Sequence, residues 1–273
     1  MRLYIHTYGR ANKQTTWNLL PKQLKAETTF VVQKREAPQW VGTANVLILP
    51  ANIRTLSPTR QWILDQHSVK LRGPFLCLLD DDLRFDKRRM DKAGLFQVAT
   101  EADILALFAK LERVLKAGYV HAGLLEREGG NRCETPFRVA TRMSRVLAYN
   151  VAEVRKVDAR FDRVPCKQDF DMTLQLLRAG CANYQICDYV QGQSGSSNAA
   201  GGCSAYRDLA MLDAAAKKLS KLHPGFVKLV QKETISAWGA TKDAPVTRTE
   251  VVIAWKKAFL SSGQTLPNAK EVK

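Results

Sequence analysis

The sequence predicts an α/β fold with a mainly parallel sheet flanked by helices. Short β-branched or apolar runs alternate with segments that carry helix-start and helix-stop signals, which is the order expected of such a sheet. The run Pro74–Asp80 (PFLCLLD) is apolar throughout, which is typical of a strand buried on both faces of a parallel sheet. The chain has 273 residues, 45% of them hydrophobic, enough for one large domain or one domain with an appendage.

The first part of the chain supplies four predicted strands and two predicted helices. A helix around Lys13–Leu20 ends at Pro21, which cannot continue it. A second helix begins at Ser57-Pro58, with serine as the N-cap and proline at the first helical position, and runs to about His67. The predicted strands are Leu3–Tyr8, Thr28–Gln33, Asn45–Pro50 and Pro74–Asp80.

The middle of the chain continues the alternation. Thr100 is the predicted N-cap of a helix over Glu101–Lys116. Arg138–Asn150 is predicted as a strand or a hairpin. Gln168–Ala179 has apolar residues on one side and is followed by a glycine, so it is predicted to be a helix. Tyr184–Tyr189 is predicted as a short strand.

The composition changes after this strand. Gln191–Gly202 (QGQSGSSNAAGG) is small, polar and glycine-rich, which indicates either a mobile functional loop or a plain linker. Helices are predicted beyond it over Asp208–Leu222, Phe226–Trp238 and Thr249–Leu260. We therefore predict a catalytic domain over residues 1–207 and a helical C-terminal extension over residues 208–273.

The charge balance is strongly basic. There are 42 Lys and Arg residues against 26 Asp and Glu residues, a formal net charge of +16. Such an excess attracts polyanions, of which nucleic acid is the first to consider, although solubility or attraction to anionic lipid would also explain it. Residues 208–273 hold 11 basic and 6 acidic residues, a charge of +5, which leaves +11 on the rest, so no single arm carries the excess.

The six cysteines and the apolar runs bear on location. The cysteines form no CxxC pair, and a zinc site at Cys181 and Cys187 would have poor spacing. The chain opens on a predicted strand, and no apolar run approaches the roughly 20 residues needed to span a bilayer. The expectation is a cytoplasmic protein with reduced thiols and no membrane partner.

Three consecutive aspartates, Asp80, Asp81 and Asp82, follow the buried strand directly. Carboxylates this close repel one another unless a cation neutralises them, and their oxygens suit Mg²⁺ or Mn²⁺. Neighbouring side chains of an extended segment point in opposite directions, so Asp80 and Asp82 share a side in a DxD arrangement. Their position also fits, because open α/β sheets bind ligands beyond the carboxyl ends of their strands. The alternative is a solvated acidic turn.

A second acidic group opens the helix that starts at Gln168. Asp169 at this point is a candidate base that deprotonates an acceptor, if its surroundings raise its pKa. The alternative is that Asp169 and Asp171 only stabilise the first turn of the helix through its dipole.

These motifs resemble a known family. A strand ending in DxD, followed by QDFDMTLQLLRAG, resembles the ED-F-D-L-x-L-R-L-x-x-x-G helix of glycosyltransferases with the GT-A (Rossmann-like) fold. Gln168 stands where that helix usually has an acid, which leaves Asp169 as the only match to the expected base. Over residues 1–207 the chain resembles phage glycosyltransferases associated with TET/JBP dioxygenases. The segments that carry this resemblance are Thr7–Arg10 with Lys13–Thr16, Ser57–Ile63, Leu79–Phe85 and Gly201–Arg207.

The resemblance implies a metal-dependent enzyme encoded by a bacteriophage and working in the host cytoplasm. It would move a sugar from a UDP-sugar to a hydroxymethylated pyrimidine in double-stranded DNA, such as 5-hydroxymethylcytosine. Mn²⁺ or Mg²⁺ would be the cofactor, and the nucleotide sugar and the DNA would be the partners. The basic charge agrees with a DNA acceptor.

The resemblance also implies roles for single residues on the donor side. Thr7, Tyr8 and Arg10 would lie by the nucleotide, in the loop after the first strand. Arg60 would face the donor diphosphate, because a guanidinium pairs with phosphate oxygens.

The remaining implied roles concern the metal, the base and the segment that closes the site. Asp80 and Asp82 would hold the metal, and Asp80 and Asp81 would contact the donor. Asp169 would take the proton of the hydroxymethyl group. The last two implied residues, Tyr206 and Arg207, would close over the donor or the base.

The target nucleotide is expected to leave the base stack, because a paired base cannot reach such a pocket. Trp17, Trp40 and Trp238 are candidates to stack on it by residue type, although tryptophans are more often core residues. His121 is a candidate metal or substrate contact, with a structural histidine as the alternative.

Three alternatives stay open from the sequence: a GT-A enzyme with a glycan or lipid acceptor, a metal-dependent nuclease, and a DNA-binding protein without catalysis. The sugar, the anomeric outcome, cytosine against uracil, and the oligomeric state have no signal in the sequence.

Overall fold

The computed structural model describes residues 1–43, 45–69, 73–92, 94–193, 201–235, 240–268 and 271–272. Within these residues ten strands form one sheet and two more form a hairpin. The strands are β1 Arg2–His6, β2 Thr28–Val32, β3 Val46–Ile48, β4 Phe75–Leu79, β5 Leu83–Arg88, β6 Phe96–Val98, β7 His121–Glu126, β8 Phe137–Val139, β9 Val146–Asn150, β10 Asn183–Gln193, β11 Val227–Thr234 and β12 Val246–Ile253. The helices are α1 Thr15–Leu19, α2 Lys22–Glu27, α3 Leu56–Val69, α4 Glu101–Lys116, α5 Val151–Lys156, α6 Gln168–Arg178, α7 Leu209–Leu222 and α8 Trp255–Leu260.

The sheet has the order β3-β2-β1-β4-β9-β7-β10-β5-β6, and β8 pairs with the first half of β10. The neighbours from β3 to β4 are parallel, as are β7 and β10. Antiparallel pairing turns β9, β5 and β8 against the other seven described strands of the sheet, so most strands run one way. The carboxyl ends of β1, β4 and β7 therefore meet at one edge.

Helices cover both faces of the sheet. All five residues of β4 are buried, as its uninterrupted apolar run predicts. On one face α4 packs into a core through Ile104 and Leu107, and on the other α3 and α6 pack through Ile63 and Met172. The predicted α/β fold is confirmed, because the strands are enclosed between these two layers.

Most predicted element positions hold, with small corrections. The predicted capping of α4 is confirmed, since the Thr100 hydroxyl accepts the N–H of Asp103 at 3.2 Å. Ser57 is not an N-cap: the N–H of Thr59 donates to the carbonyl of Thr55, so α3 starts ahead of Ser57. The segment Arg138–Asn150 holds two strands that pair with other partners, not a hairpin. Of the predicted loop 191–202, residues 194–200 lie outside the described residues, and its first three residues belong to β10.

The C-terminal extension is not wholly helical, contrary to the prediction. Helix α7 is present, and the Asp208 carboxylate caps it by accepting the N–H of Met211 at 2.7 Å. The predicted helix over Phe226–Trp238 is wrong in its described part, where β11 pairs with β12 as an antiparallel hairpin. Thr249–Leu260 is helical only from Trp255 onward, because the β-branched run of β12 favours a strand.

The extension shares a core with α6. Leu174 and Leu177 of α6 pack with Leu219 of α7, Val227 of β11 and Phe259 of α8. The division of the chain at residue 207 stays a prediction. Among the described helices, none has the length and apolar character that crossing a membrane would need.

Candidate active site

A cavity of about 570 Å³ opens beyond the carboxyl ends of β1 and β4. It brings together all ten side chains to which the family resemblance gave a role, although these come from separate parts of the chain. The cavity-lining residues among them are Thr7, Tyr8, Arg10, Arg60, Asp80, Asp81, Asp82, Asp169, Tyr206 and Arg207.

Asp80, Asp81 and Asp82 form a turn, the aspartate turn, which is held in place by one threonine of α1. The buried Thr16 hydroxyl donates to the carbonyl of Asp80 at 2.6 Å and accepts the N–H of Leu83 at 2.9 Å. Its own N–H donates to the carbonyl of Asp81 at 3.1 Å. These three bonds span the whole turn and fix the directions of its side chains.

The Asp80 carboxylate contacts two side chains, Arg60 and His6. Nη2 of Arg60 donates to its Oδ1 at 2.8 Å, and Nε2 of His6 lies 3.3 Å from the same oxygen. Burial alone would raise the pKa of Asp80, but the hydrogen bond from His6 and the charges of Arg60, His6 and Arg145 lower it to about 2. Asp80 is therefore ionised at any working pH.

Both carboxylate oxygens of Asp81 accept hydrogen bonds from other side chains of the protein. Asp81 is buried, its Oδ2 accepts the Thr7 hydroxyl at 2.5 Å, and its Oδ1 accepts Nη1 of Arg10 at 2.7 Å. Burial raises its pKa by more than Thr7 and Arg10 lower it. Asp81 thus fastens the loop after β1 to the aspartate turn, and the donor contact expected of it stays a prediction.

Asp82 completes the turn and bears on the expected metal. Its Oδ2 also accepts Nη1 of Arg10, at 2.9 Å, so one guanidinium bridges two of the aspartates. Within the described residues no group of three His, Cys, Asp or Glu side chains could hold a metal ion by itself. Mg²⁺ and Mn²⁺ are, however, commonly held by one or two carboxylates together with substrate phosphates and water. The oxygen chemistry of Asp80 and Asp82 fits a cation shared with a phosphorylated ligand.

Asp169 lies in the first turn of α6 and lines the same cavity. Its Oδ1 accepts the N–H of Phe170 at 3.0 Å, which orients the carboxylate. Burial raises its pKa, the charges of Arg60 and Arg142 lower it, and the net shift is upward. A carboxylate with a raised pKa is suited to accept a proton.

The neighbouring acid, Asp171, has a structural role. It is fully buried and accepts hydrogen bonds from His223 Nε2 at 2.7 Å and Gln175 Nε2 at 3.0 Å. The cavity does not include it among its described lining residues. Of the two acids that open α6, Asp169 therefore lines the cavity, whereas Asp171 stabilises the fold.

Arg60 connects the two acidic groups of the site. It is only 2% exposed, and its charge lowers the pKa of both Asp80 and Asp169. Its Nε has no hydrogen-bond partner within the described residues. Arg60 also lines the cavity, where a guanidinium is suited to bind a phosphate oxygen.

The segment after the glycine-rich stretch rests on the loop that follows β1. The N–H of Gly202 donates to the carbonyl of Tyr8 at 2.8 Å, and the rings of Tyr8 and Tyr206 meet edge to face at 6.4 Å. The Tyr206 hydroxyl accepts the N–H of Leu56 at 2.9 Å. Tyr206 thus joins this segment to the start of α3, on the side of the cavity where the donor was expected.

The contact between this segment and the loop after β1 requires a glycine at position 201. Gly201 has φ +86°, and a Cβ at this position would lie 2.7 Å from Cγ of Arg10. We expect Gly201→Ala to displace Arg10 from Asp81 and Asp82 and to lower stability by about 1–3 kcal/mol, measured by chemical denaturation. Gly225→Ala is the control, because Gly225 has φ +80° but nothing within 4 Å of the added Cβ. Equal losses in both variants would attribute the effect to backbone strain and not to Arg10.

Several cavity residues were not predicted. Glu126 ends β7 and accepts the Ser144 hydroxyl at 2.6 Å and Nη2 of Arg142 at 3.0 Å. Its position after a buried strand is the same signal that identified Asp80, so it could have been found. Other polar lining residues gave no sequence signal for this site, among them His6, Arg142, Ser144, Arg145, Lys167, Thr234, Arg248 and Glu250.

Other candidates from the sequence lie in the core. Trp17 and Trp40 pack on Phe30 with ring centroids 4.9 and 4.6 Å apart. His121 is buried and stacked on Tyr149 at 4.3 Å, and burial lowers its pKa to about 3. The described lining of the cavity includes none of these three candidates, and Trp238 lies outside the described residues. The structural alternative therefore holds for both described tryptophans and for His121.

Comparison with known proteins agrees with this geometry. Residues 1–202 match the model of the TET-Associated Glycosyltransferase family. No curated protein matches the chain closely enough to count as a relative. Among solved structures, the mannosyltransferase PcManGT from Pyrobaculum calidifontis, in complex with GDP-Man and Mn²⁺, superposes with a TM-score of 0.54 at 11% identity.

The alignment with that mannosyltransferase covers 81% of this chain and 63% of the other, so this chain spans less than two thirds of its length. The galactosyltransferase LgtC, in complex with donor and acceptor sugar analogues, gives a TM-score of 0.32 at 14% identity, over 64% of this chain and 70% of the other. The family match and the fold agree: the chain belongs to the TET-associated glycosyltransferase family and has a GT-A fold.

Proposed function

We propose that this protein transfers a sugar from a nucleotide sugar, a UDP-sugar, to a hydroxymethylated pyrimidine base in DNA. The observation that carries the proposal is the placement of Arg60 between Asp80 and Asp169, because it joins a diphosphate-binding side and a proton-accepting side in one cavity. Family membership favours a glycosyltransferase over the nuclease and over the non-enzymatic DNA-binding protein.

The donor side is formed by the aspartate turn and the arginines around it. Asp80 and Asp82 would hold Mn²⁺ or Mg²⁺, which would neutralise the departing nucleoside diphosphate as a Lewis acid. The structural neighbour in complex with GDP-Man and Mn²⁺ supports this assignment. Arg60 would bind a diphosphate oxygen from the wall of the cavity, and Tyr206 would close the segment over the nucleotide.

Asp169 acts on the acceptor side. The hydroxymethyl oxygen forms the bond to the anomeric carbon, the bond from that carbon to the diphosphate oxygen breaks, and Asp169 takes the hydroxyl proton. Burial keeps the pKa of Asp169 high enough for the carboxylate to hold this proton, while Arg60 and Arg142 keep it low enough for the ionised form to be present beforehand.

The acceptor is proposed from charge and family. A formal net charge of +16 raises the local concentration of DNA around the protein. A base inside a duplex cannot reach the cavity, so the target nucleotide would be flipped out of the stack. A glycan or lipid acceptor is the competing proposal, and a neutral acceptor of either kind would give the net charge no role.

The test is a transfer assay read by mass. The protein is mixed with Mn²⁺, a panel of UDP-sugars, and DNA containing 5-hydroxymethylcytosine or 5-hydroxymethyluracil, and the digested nucleosides are weighed by mass spectrometry. We expect one nucleoside to gain the mass of one sugar, and the gain to be absent with Asp80→Ala and with Asp82→Ala. A parallel reaction in which a glycan replaces the DNA provides the comparison: sugar transfer to the glycan, with no gain on either base, would overturn the DNA acceptor.

A further inference from the structure

The hairpin β11–β12 forms one wall of the active-site cavity. Thr234, Arg248 and Glu250 of this hairpin line the cavity together with Asp169. The family match ends at residue 202, so this wall comes from a part of the chain that the family model does not cover. The acceptor side of the site is therefore built partly by the C-terminal extension.

The hairpin is held firmly in this position. Glu250 forms an ion pair with Lys167, which precedes α6 and lies two residues before Asp169. The N–H of Thr249 donates to the Asp213 carboxylate of α7 at 2.8 Å. With Val251 and its neighbours packed against α7 and α8, the hairpin is part of the site's framework.

One face of the hairpin carries cations toward the cavity. In the antiparallel register, Lys232 lies opposite Arg248 and Lys228 lies opposite Val252. Directly opposed residues, and residues two apart on one strand, share a face, so Lys228 and Lys232 lie on the same face as the cavity-lining Arg248 and Glu250. Both lysines are exposed, whereas the charge of Glu250 is matched by Lys167 and by Arg248, whose Nη2 is 3.6 Å away.

The cationic face is continuous with the cavity. Lys228 and Lys232 are four positions apart on an extended strand, a separation of roughly 13 Å. Thr234, two positions further on, lines the cavity. The acid of this strand, Glu233, lies on the opposite face, because successive side chains alternate. A row of positive charge thus runs along β11 to the entrance of the site.

We propose that this hairpin face binds the phosphate backbone of the nucleic-acid acceptor and directs it into the cavity. The proposal deepens the proposed function and rests on it for the identity of the acceptor. Lysines bind phosphates as point charges without reading sequence, so the hairpin would position the strand next to the target base and not select the base. Anionic lipid is the competing ligand for such a face, but a lipid surface gives no reason for the row of charge to lead into a catalytic cavity.

The experiment compares two pairs of lysines of equal charge. The test variant is Lys228→Gln with Lys232→Gln, and the matched control is Lys217→Gln with Lys218→Gln, on the exposed side of α7. The dissociation constant for duplex DNA with hydroxymethylated bases is measured between about 50 and 200 mM salt, where phosphate contacts dominate the salt dependence. The midpoint of thermal unfolding confirms that both variants fold alike.

We expect the test pair to weaken DNA binding and to reduce the slope of log Kd against log salt by about 2, one for each lysine, while the control keeps the wild-type slope. Equal effects of the two pairs, or no effect of the test pair, would overturn the proposal. Loss of binding to phosphatidylserine vesicles with unchanged DNA binding would also overturn it, in favour of a membrane.

The failure of this proposal is distinguishable from failure of the proposed function. If wild-type protein glycosylates DNA and the test pair transfers sugar as well as the control pair, the function stands and the hairpin face is refuted. If no base is glycosylated but the salt slope falls only in the test pair, the hairpin face stands as a nucleic-acid surface and the acceptor assignment fails.

Discussion

Asp169→Asn is expected to lower kcat/KM for sugar transfer by about 10²–10⁴-fold, the usual contribution of a positioned general base. Asparagine keeps the size of the side chain and can still accept the N–H of Phe170, but it cannot take the acceptor proton. The fold should be unaffected, because Asp169 lines the cavity, whereas Asp171 is the acid of α6 that is hydrogen-bonded to His223 and Gln175. The exposed Asp162→Asn is the control variant.

The proposed role of Asp169 as the base also predicts a pH dependence. Because the base must be ionised, kcat/KM should fall as pH falls through the pKa of Asp169, which burial raises and Arg60 and Arg142 lower. Arg142→Gln removes one of these lowering charges, so the acidic limb of the profile should move to higher pH. The charges of Arg60, which lowers the pKa of Asp169, and of Asp80, which raises it, are left in place. A limb that stays in place or moves to lower pH would contradict the role of Asp169 as the base.

The part of the fold that could be predicted depends on local signals. The strand β4 is marked by its uninterrupted apolar run, and α4 by Thr100 at its start, so both could be placed from the sequence. The acids after β4 could be placed at the ligand-binding edge because strand ends of a parallel sheet lie on one edge. Asp169, at the start of α6, was joined to them only by the family resemblance. Arg60 and Tyr206 were predicted from the family resemblance, because their positions in the sequence do not by themselves indicate a role in the site.

The part that could not be predicted depends on contacts between distant residues. Lys228 and Lys232 are four residues apart, a spacing that also fits one side of a helix, and only pairing with β12 makes β11 a strand. The three aspartates likewise differ because each has its own hydrogen-bond partners, and these lie far away in the sequence. Thr7, for example, donates to Asp81. The wall formed by Arg248 and the hairpin was missed because it depends on this unpredicted pairing.

Asp80→Asn is expected to lower kcat/KM at fixed Mn²⁺ by about 10²-fold or more, since a metal that stabilises a leaving group contributes several kcal/mol. The substitution removes an ionised carboxylate, a proposed metal ligand whose pKa is about 2, and weakens the hydrogen bond that orients Arg60. Asp82→Asn should raise the Mn²⁺ concentration required for half-maximal rate, because Asp82 is the other proposed ligand. Rates measured across a Mn²⁺ titration check both expectations.

Asp81→Asn is the informative comparison within the same turn. Both oxygens of Asp81 already accept hydrogen bonds, from Thr7 and Arg10, so the variant should lose about 1–3 kcal/mol of stability through a poorly satisfied buried group. Its Mn²⁺ requirement should stay close to that of the wild type. A higher KM for the donor in this variant would support the predicted contact of Asp81 with the nucleotide sugar. If the Mn²⁺ requirement instead rose in Asp81→Asn and not in Asp80→Asn or Asp82→Asn, the metal would belong to Asp81, and the alternation that pairs Asp80 with Asp82 would not describe this site.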